Sequence, residues 1–444
     1  MKSKQTKFKE TEVGPIPEEW DVIKLENASE KIGIGPFGSS IKVETFVNDG
    51  IPVISGQHLN GFKLEDSKFN FITLDHAKKL RSANVFRGDV IFTHAGNIGQ
   101  VAYIPNNSKY EKYIISQRQF YLRCNKERLL PEFITYFFKT PIGQHKLLSN
   151  RSQTGVPSIA QPVTHLRNIE IPLPTITEQK RIAEILETLD EKIELNRRMN
   201  ENLEKIASVL FKHWFVDFEF PNEQGKPYKS SGGKMIDSEL GLVPEEWEIK
   251  SISEVTKIVT KGTTPTTIGG NFADNGINFI KAESITENHA FDKNKFSFID
   301  EETNDLLNRS KIEIDDLLYT IAGTIGRFLI VDESVLPANT NQAVAIIRIN
   351  QEMATPYYLQ CIFCLPEYKE ELFAGVIEAV QANLSLTNIK KLKIILPNKI
   401  GLKLFRSQIE PIFKTIVDNQ LQNENLAQIR DSLLPRLMSG KIRV

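Results

Sequence analysis

Gly88-Asp-Val-Ile-Phe-Thr-His-Ala-Gly-Asn-Ile-Gly99 decides the fold, because it returns as Asp315-Asp-Leu-Leu-Tyr-Thr-Ile-Ala-Gly-Thr-Ile-Gly326, displaced by 227 residues. Working outward, Glu12-Val-Gly-Pro-Ile-Pro-Glu-Glu-Trp20 matches Glu239-Leu-Gly-Leu-Val-Pro-Glu-Glu-Trp247 at the same displacement. Gln117 to Arg123 parallels Gln342 to Arg348, displaced by 225, and Asn196 to Ile206 parallels Asn419 to Ile429, displaced by 223. Four matches in one order at nearly one offset make the chain a tandem duplication.

Each copy reads alike. A segment of about 150 residues carries short β-type runs (Val90–Thr93, Gln100–Ile104, Phe120–Arg123; Leu317–Ile321, Arg327–Val331) punctuated by Gly, Pro and Asn. A short helix is expected at Pro131–Phe138, since Pro suits a first helical turn. After Ile171-Pro-Leu-Pro174 and after Leu396-Pro397 the pattern turns helical. The first long helix is expected to open at Thr177, with Glu178 near the positive end of its dipole. Ile182, Leu186, Leu189, Ile193, Asn196, Asn200, Leu203, Ala207 and Leu210 step alternately by four and three, a heptad seam. Phe405, Ile409, Ile412, Ile416, Asn419, Asn423, Leu426, Arg430 and Leu433 repeat it. Two helices of about 35 residues at ~1.5 Å rise make a rod near 50 Å long. Neither buries its seam alone, so the two are expected to pair antiparallel. The seam asparagines leave three readings open: partial exposure to water, amide bonds across the pair that set its register, or a docked partner.

The fold class expected is α+β, with two pseudo-symmetric mixed α/β domains separated by two long helices packed as an antiparallel coiled coil. The expected boundaries are 1–175 and 239–398 for the globular domains and 176–217 for the first helix. The Pro-, Gly- and Ser-containing segment 218–238 is expected to be a linker, and 399–444 the second helix and tail. The aromatic run Trp214–Phe220 is expected to pack at the end of the rod.

Composition excludes several classes. The chain has 444 residues, 40% hydrophobic and 25% charged, as in ordinary globular proteins. No apolar run approaches the ~18 to 20 residues of a membrane span. The basic, polar start shows no secretory signal, and three cysteines make no disulfide framework, so a cytoplasmic protein is expected. The net charge of −1 provides no global basic footprint, so binding of nucleic acid would rest on local patches or partner proteins.

Chemical motifs fail one after another. Gly33-Ile-Gly-Pro-Phe-Gly38 fits G-x-G-x-x-G, but Pro36 lies inside it, no acidic residue stands 20 on, and Lys261–Thr267 has lost the pattern. Cys361-Ile-Phe-Cys364 has no second pair to complete a zinc site. His94 sits in a Gly-containing turn, yet its repeat partner is Ile321. There is no phosphate loop, no G-x-S-x-G, and no Asn/Asp-Pro-Pro-aromatic motif of the kind amino-methyltransferases use. The matched ionisable residues that a two-domain enzyme needs are not found. What remains is a set of polar turns in equivalent places, where a rigid scaffold would present hydrogen-bonding side chains.

Taken together, the paired Pro-Glu-Glu-Trp entries, the Ala-Gly-x-Ile-Gly turns, Ile171-Pro-Leu-Pro174 followed by Glu178-Gln-Lys-Arg-Ile182-Ala, the linker Phe218–Gly233 and the ending Leu437-Met-Ser-Gly-Lys-Ile-Arg-Val444 resemble the specificity subunits of type I restriction-modification systems. The resemblance covers essentially the whole chain. One departure is Asn398-Lys-Ile-Gly-Leu-Lys403, in place of a Thr-Glu-Gln-Lys type of helix start. The resemblance implies a non-catalytic subunit whose two target recognition domains each read half of a split, asymmetric double-stranded DNA site. It also implies two methyltransferase subunits docked on the helices and two restriction/translocase subunits. S-adenosylmethionine, ATP and Mg2+ would then belong to those partners, with no metal or cofactor in this chain. A duplicated, non-enzymatic adaptor for another ligand or protein is the alternative. From the polar turns, DNA contacts are expected at Ser39, Ser40, Lys42, Gln57, His58, Asn97 and Gln153, and at Thr264, Thr266, Lys281, Glu283 and Thr324. Helix pairing and partner docking are expected at Leu189, Ile193, Asn196, Asn200, Leu203, Ile412, Ile416, Asn419, Asn423 and Leu426.

Overall fold

The computed structural model describes residues 7–36, 38, 40–152, 155–374 and 383–444. The chain forms two compact units, residues 1–195 with 422–444 and residues 196–421. Each holds one globular domain and a stretch of both long helices, α1 (Ile176–Phe211) and α2 (Lys399–Met438). Among the described residues no helix is long and apolar enough to cross a membrane.

In the first unit two four-stranded sheets share the domain. One is antiparallel, ordered Ser29–Ile34, Gln119–Cys124, Asp89–Thr93, Val101–Tyr103. The other is mixed, ordered Asn70–Ile72, Ile51–Ile54, Lys112–Ile115, Asn84–Phe86, with Lys112–Ile115 parallel to Ile51–Ile54. Asp89–Thr93 and most of Gln119–Cys124 are buried on both faces, which accounts for their near-continuous apolar runs. Phe92, Phe120 and Leu122 feed a core that also takes Phe133, Phe138, Ile182 and Leu186, while Ile91 and Tyr121 face a core between the sheets.

The second unit repeats this plan. Thr256–Lys261, Val344–Ile349, Leu317–Thr320 and Phe328–Ile330 form the antiparallel sheet. Phe272–Ala273, Ser297–Ile299, Ile277–Ile280 and Ala338–Thr340 form the mixed one, again with one parallel pair. In both units a two-stranded ribbon leads into a long helix: Asp21–Lys24 with Glu170–Leu173, and Glu248–Ser251 with Lys393–Leu396.

Two sequence expectations are revised, the opening residue of the first long helix and the linker. Helix α1 begins at Ile176, one residue before Thr177, and Thr175 is its cap, its hydroxyl accepting from the Glu178 N–H at 3.3 Å. Helix α2 starts at Lys399 behind Asn398, whose side chain accepts from the Gly401 N–H at 2.8 Å. Such caps contribute about 1 kcal/mol each. The segment 218–238 is not a free tether. Phe218 and Phe220 are buried, Phe220 stacks on Tyr228, and Met235–Ser238 pairs with Gly241–Pro244.

The seam residues turn inward where the heptads place them. In the first unit Ile182, Leu186 and Ile193 are buried, Leu189, Asn423 and Leu426 half-buried, and Asp190 of α1 meets Arg430 of α2 at 2.5 Å. In the second, Asn196, Asn200, Ala207 and Ile416 are buried, with Leu203, Ile412 and Asn419 half-buried. There Asn200 donates to the Ile416 carbonyl at 3.1 Å and accepts from Asn419 at 2.8 Å. Phe211 packs on Phe405 in the same unit, so α1 and α2 pass antiparallel. Each amide bond joins one helix to the other at a single register, the specifying use of a seam asparagine.

Candidate nucleic-acid interface

A loop cluster in each unit is built from main-chain hydrogen bonds, and its central bonds recur in both units. In the first unit the His94 N–H donates to the Arg118 carbonyl at 2.9 Å, and the Ile159 N–H donates to the His94 carbonyl at 2.8 Å. Ala95 bridges Ser158. In the second unit Ile321 donates to Ala343, Leu384 donates to Ile321, both at 2.8–2.9 Å, and Ala322 bridges Asn383. Gly35 and Gly262 press against the same turn. A Cβ at Gly35 would lie 2.0 Å from the Ser116 carbonyl oxygen, and one at Gly262 1.8 Å from that of Thr340. The central glycine of the apparent nucleotide motif, Gly35, therefore serves close backbone approach.

At the opposite end of the same central strands from each cluster lies a charge pair with a buried carboxylate. Arg123 donates twice to Asp89, at 2.8 and 2.7 Å, and Arg348 twice to Asp316 at the same distances. Each carboxylate also accepts a turn amide, from Phe86 and from Glu313. This corrects the expectation that the halves share no matched ionisable residues. The pair is satisfied within the fold, with the carboxylates 1% and 0% exposed, so it braces the two central strands and the turn at their far end. Removing one partner would strand a buried charge at a cost of about 3–5 kcal/mol.

The residues expected at the interface divide into groups. Ser39 and Gln153 lie outside the described residues. Ser40 and Lys42 are exposed on a segment held by His76, which meets the Ser40 carbonyl at 2.9 Å. Gln57 and Asn97 are exposed, and their loops are joined by Gln100, which donates to the Gly56 carbonyl at 3.0 Å and accepts from Thr93 at 3.2 Å. His58 is a correction. It is 2% exposed, stacked on Phe69 at 4.4 Å, with Nδ1 accepting from the Ser55 N–H, and burial lowers its pKa. It holds its turn and cannot reach a base edge from there.

In the second unit Thr266 and Glu283 are exposed. Thr264 donates to Gln342 at 2.6 Å, Thr324 donates to the Ala282 carbonyl at 3.2 Å, and the Lys281 ammonium sits 5.2 Å above the Phe272 ring. Gln117, Arg118 and Gln342 are exposed on the turns at the centre of the clusters and were not singled out from the sequence. The matching Gln117 and Gln342 in the repeat were the available signal.

A family model described as Type I restriction modification DNA specificity domain matches residues 17–205 and again 244–430. The chain belongs to that family. It is 27% identical to the type I restriction enzyme MjaIX specificity subunit of Methanocaldococcus jannaschii, over 99% of this chain and 97% of the relative. It is 25% identical to the HindI specificity subunit of Haemophilus influenzae, over 80% and 87%. Its fold is that of the crystal structure of a type I restriction-modification system S subunit from M. genitalium. That match has a TM-score of 0.58 at 15% identity and covers 94% of this chain and 96% of the other.

Proposed function

We propose that this member of the specificity family is the sequence-reading subunit of a type I restriction-modification complex, each globular domain recognising one half of a bipartite, asymmetric DNA site. The observation carrying the reading is the pair of equivalent loop clusters. The same central backbone bonds and the same Asp–Arg pair recur in both, while the turn side chains differ on either side of a shared exposed glutamine, Ser116-Gln-Arg118 against Asn341-Gln-Ala343, with an exposed arginine replaced by a half-buried alanine. A shared frame with different side chains presents two different patterns of donors and acceptors, and base edges are read by such patterns. Two unlike readers imply a site that is not palindromic.

On this reading the chain is not catalytic. Two methyltransferase subunits holding S-adenosylmethionine methylate adenine, and two restriction/translocase subunits use ATP and Mg2+, in the cytoplasm. The helices supply docking surface. Beside the seam, Met199, Ile206 and Val209 of α1 are 39%, 53% and 68% exposed, spaced so as to share one helical face. Such an apolar stripe suits a partner helix. The near-neutral chain then shares phosphate contacts with its partners. The test is to purify the chain with its cognate methyltransferase subunit and map adenine methylation on random DNA. A single split motif is expected, and methylation without sequence preference overturns the reading.

A further inference from the structure

We infer that Arg118, at the turn between Lys112–Ile115 and Gln119–Cys124, is a base-reading residue of the first domain, specifying a guanine in its half-site. The inference rests on the function proposed above and assigns part of the code to one side chain.

Three observations converge on it. First, the backbone of Arg118 is fixed: its carbonyl accepts from His94, its N–H donates to the Ser116 hydroxyl at 3.4 Å, and Gln119 closes the turn onto Ser116 at 3.1 Å. Second, its side chain is exposed and uncommitted. Among the described residues the guanidinium has no carboxylate or carbonyl partner, whereas Arg87, Arg123 and Arg128 of the same domain are bonded to Ser108, Asp89 and Asn27. One guanidinium nitrogen lies where a Cβ on Gly96 would be 3.4 Å away, so the bare Gly96 backbone, at φ +85°, leaves it room in the centre of the cluster. Third, the equivalent residue in the second domain is Ala343, while the residues that build the turn keep their bonds in both copies. A side chain that varies on an invariant frame is placed for specificity, not for folding.

The chemistry selects the base. A guanidinium presents two parallel N–H donors, matching the O6 and N7 acceptors of guanine in the major groove. The second domain offers an amide at the same turn, Gln342, oriented by its bond from Thr264.

The experiment uses the assembled complex with its methyltransferase subunit, mapping methylated motifs on random DNA for wild type, Arg118→Ala, Arg118→Lys and Gln342→Ala. For Arg118→Ala, one G·C position in one half-site should lose its requirement, with discrimination falling about 10- to 100-fold, while the other half-site is unchanged. Arg118→Lys keeps the charge but not the fork, so it should relax the same position, which separates base reading from phosphate contact. Gln342→Ala should relax the opposite half-site. An unchanged motif, or binding weakened evenly across sequences with the lysine variant restoring it, overturns the inference and leaves the proposed function standing. A wild-type complex that methylates no split motif removes the function beneath it, and the inference with it.

Discussion

The two domains are held against the long helices by different chemistry. In the first unit polar bonds are added to the apolar contact of Ile182, Leu186 and Leu437 with the domain core: Trp20 donates to Glu178 at 2.9 Å, Arg443 binds both Glu178 and Glu19, and Asp190 accepts from Tyr136 at 2.7 Å and from Arg430. The repeat places Trp247, Gly401, Phe220, Phe413, Cys361 and Ala207 at the positions of Trp20, Glu178, Arg443, Asp190, Tyr136 and Arg430. The second joint is accordingly apolar and aromatic, with Trp247 among Phe215, Phe218 and Phe220, and Phe405 among Phe211, Trp214, Phe215 and Tyr358. One architecture thus tolerates two ways of burying the same joint. The polar one is directional and depends on every member being present. The apolar one depends on volume and packing.

The largest effect expected is from breaking each joint in its own currency. Asp190→Ala removes the acceptor of Tyr136 and one of the two carboxylates on Arg430, which keeps Asp431, and should cost the first unit about 1–3 kcal/mol. Phe405→Ala should cost the second about 3–5 kcal/mol. Hydrogen exchange resolved by segment should locate each loss in its own unit, and a loss spread evenly over both would break the comparison. Next comes pH. Burial, with Arg430 nearby, pulls Lys139 down from the ordinary 10.5 to about 8, while its Nζ donates to the Gly61 carbonyl at 2.8 Å. Between those values the unfolded chain binds more protons than the folded one, so this residue makes stability rise with pH from about 8 to about 10.5. Its counterpart is Cys364. Denaturant unfolding of wild type against Lys139→Met across that window should show the rise confined to wild type.

A smaller effect sharpens the Trp20 clamp. Glu178→Gln retains an acceptor for the indole but loses the charge facing Arg443, and should lower the stability of the first unit by about 1–2 kcal/mol, read by thermal unfolding. Smallest, and of opposite sign, is the missing acceptor of the second unit. Trp247 is 4% exposed and its indole N–H has no partner among the described residues. Gly401→Gln restores a side chain at the Glu178 position and removes a helical glycine, so it should stabilise the second unit by about 1 kcal/mol. The added Cβ would stand 3.2 Å from the Asn398 cap oxygen, so a destabilised variant would mean that the cap does not give way or that the joint has no space for an acceptor.

Much of the fold is legible because it rests on periodicity. The heptad steps of Ile182 to Leu210 place Asn196 and Asn200 inside the seam, and the repeated runs around Val90 and Leu317 are the paired central strands. The site is less legible. His58 and Gln57 are neighbours in one polar turn, yet one is a stacked core residue and the other is exposed, because a turn's sequence does not say which side chain its backbone points inward. Arg118 and Arg123 lie in one quoted repeat, and only the pairing of Arg123 with buried Asp89 separates the brace from the reader. Asp89 and Asp316 were visible as matched residues, but their arginine partners stand over 30 residues away in sequence.

By itself, the sequence determined the duplication, the alternation of mixed α/β domains with long helices, and the family, since these follow from matched motifs and from apolar residues recurring at fixed periods. Only the tertiary structure decided which polar residues serve the fold and which face outward. Hydrogen bonds and ion pairs between distant segments leave no periodic trace. They exist once the chain has brought His94 to Arg118 and Asp190 to Arg430.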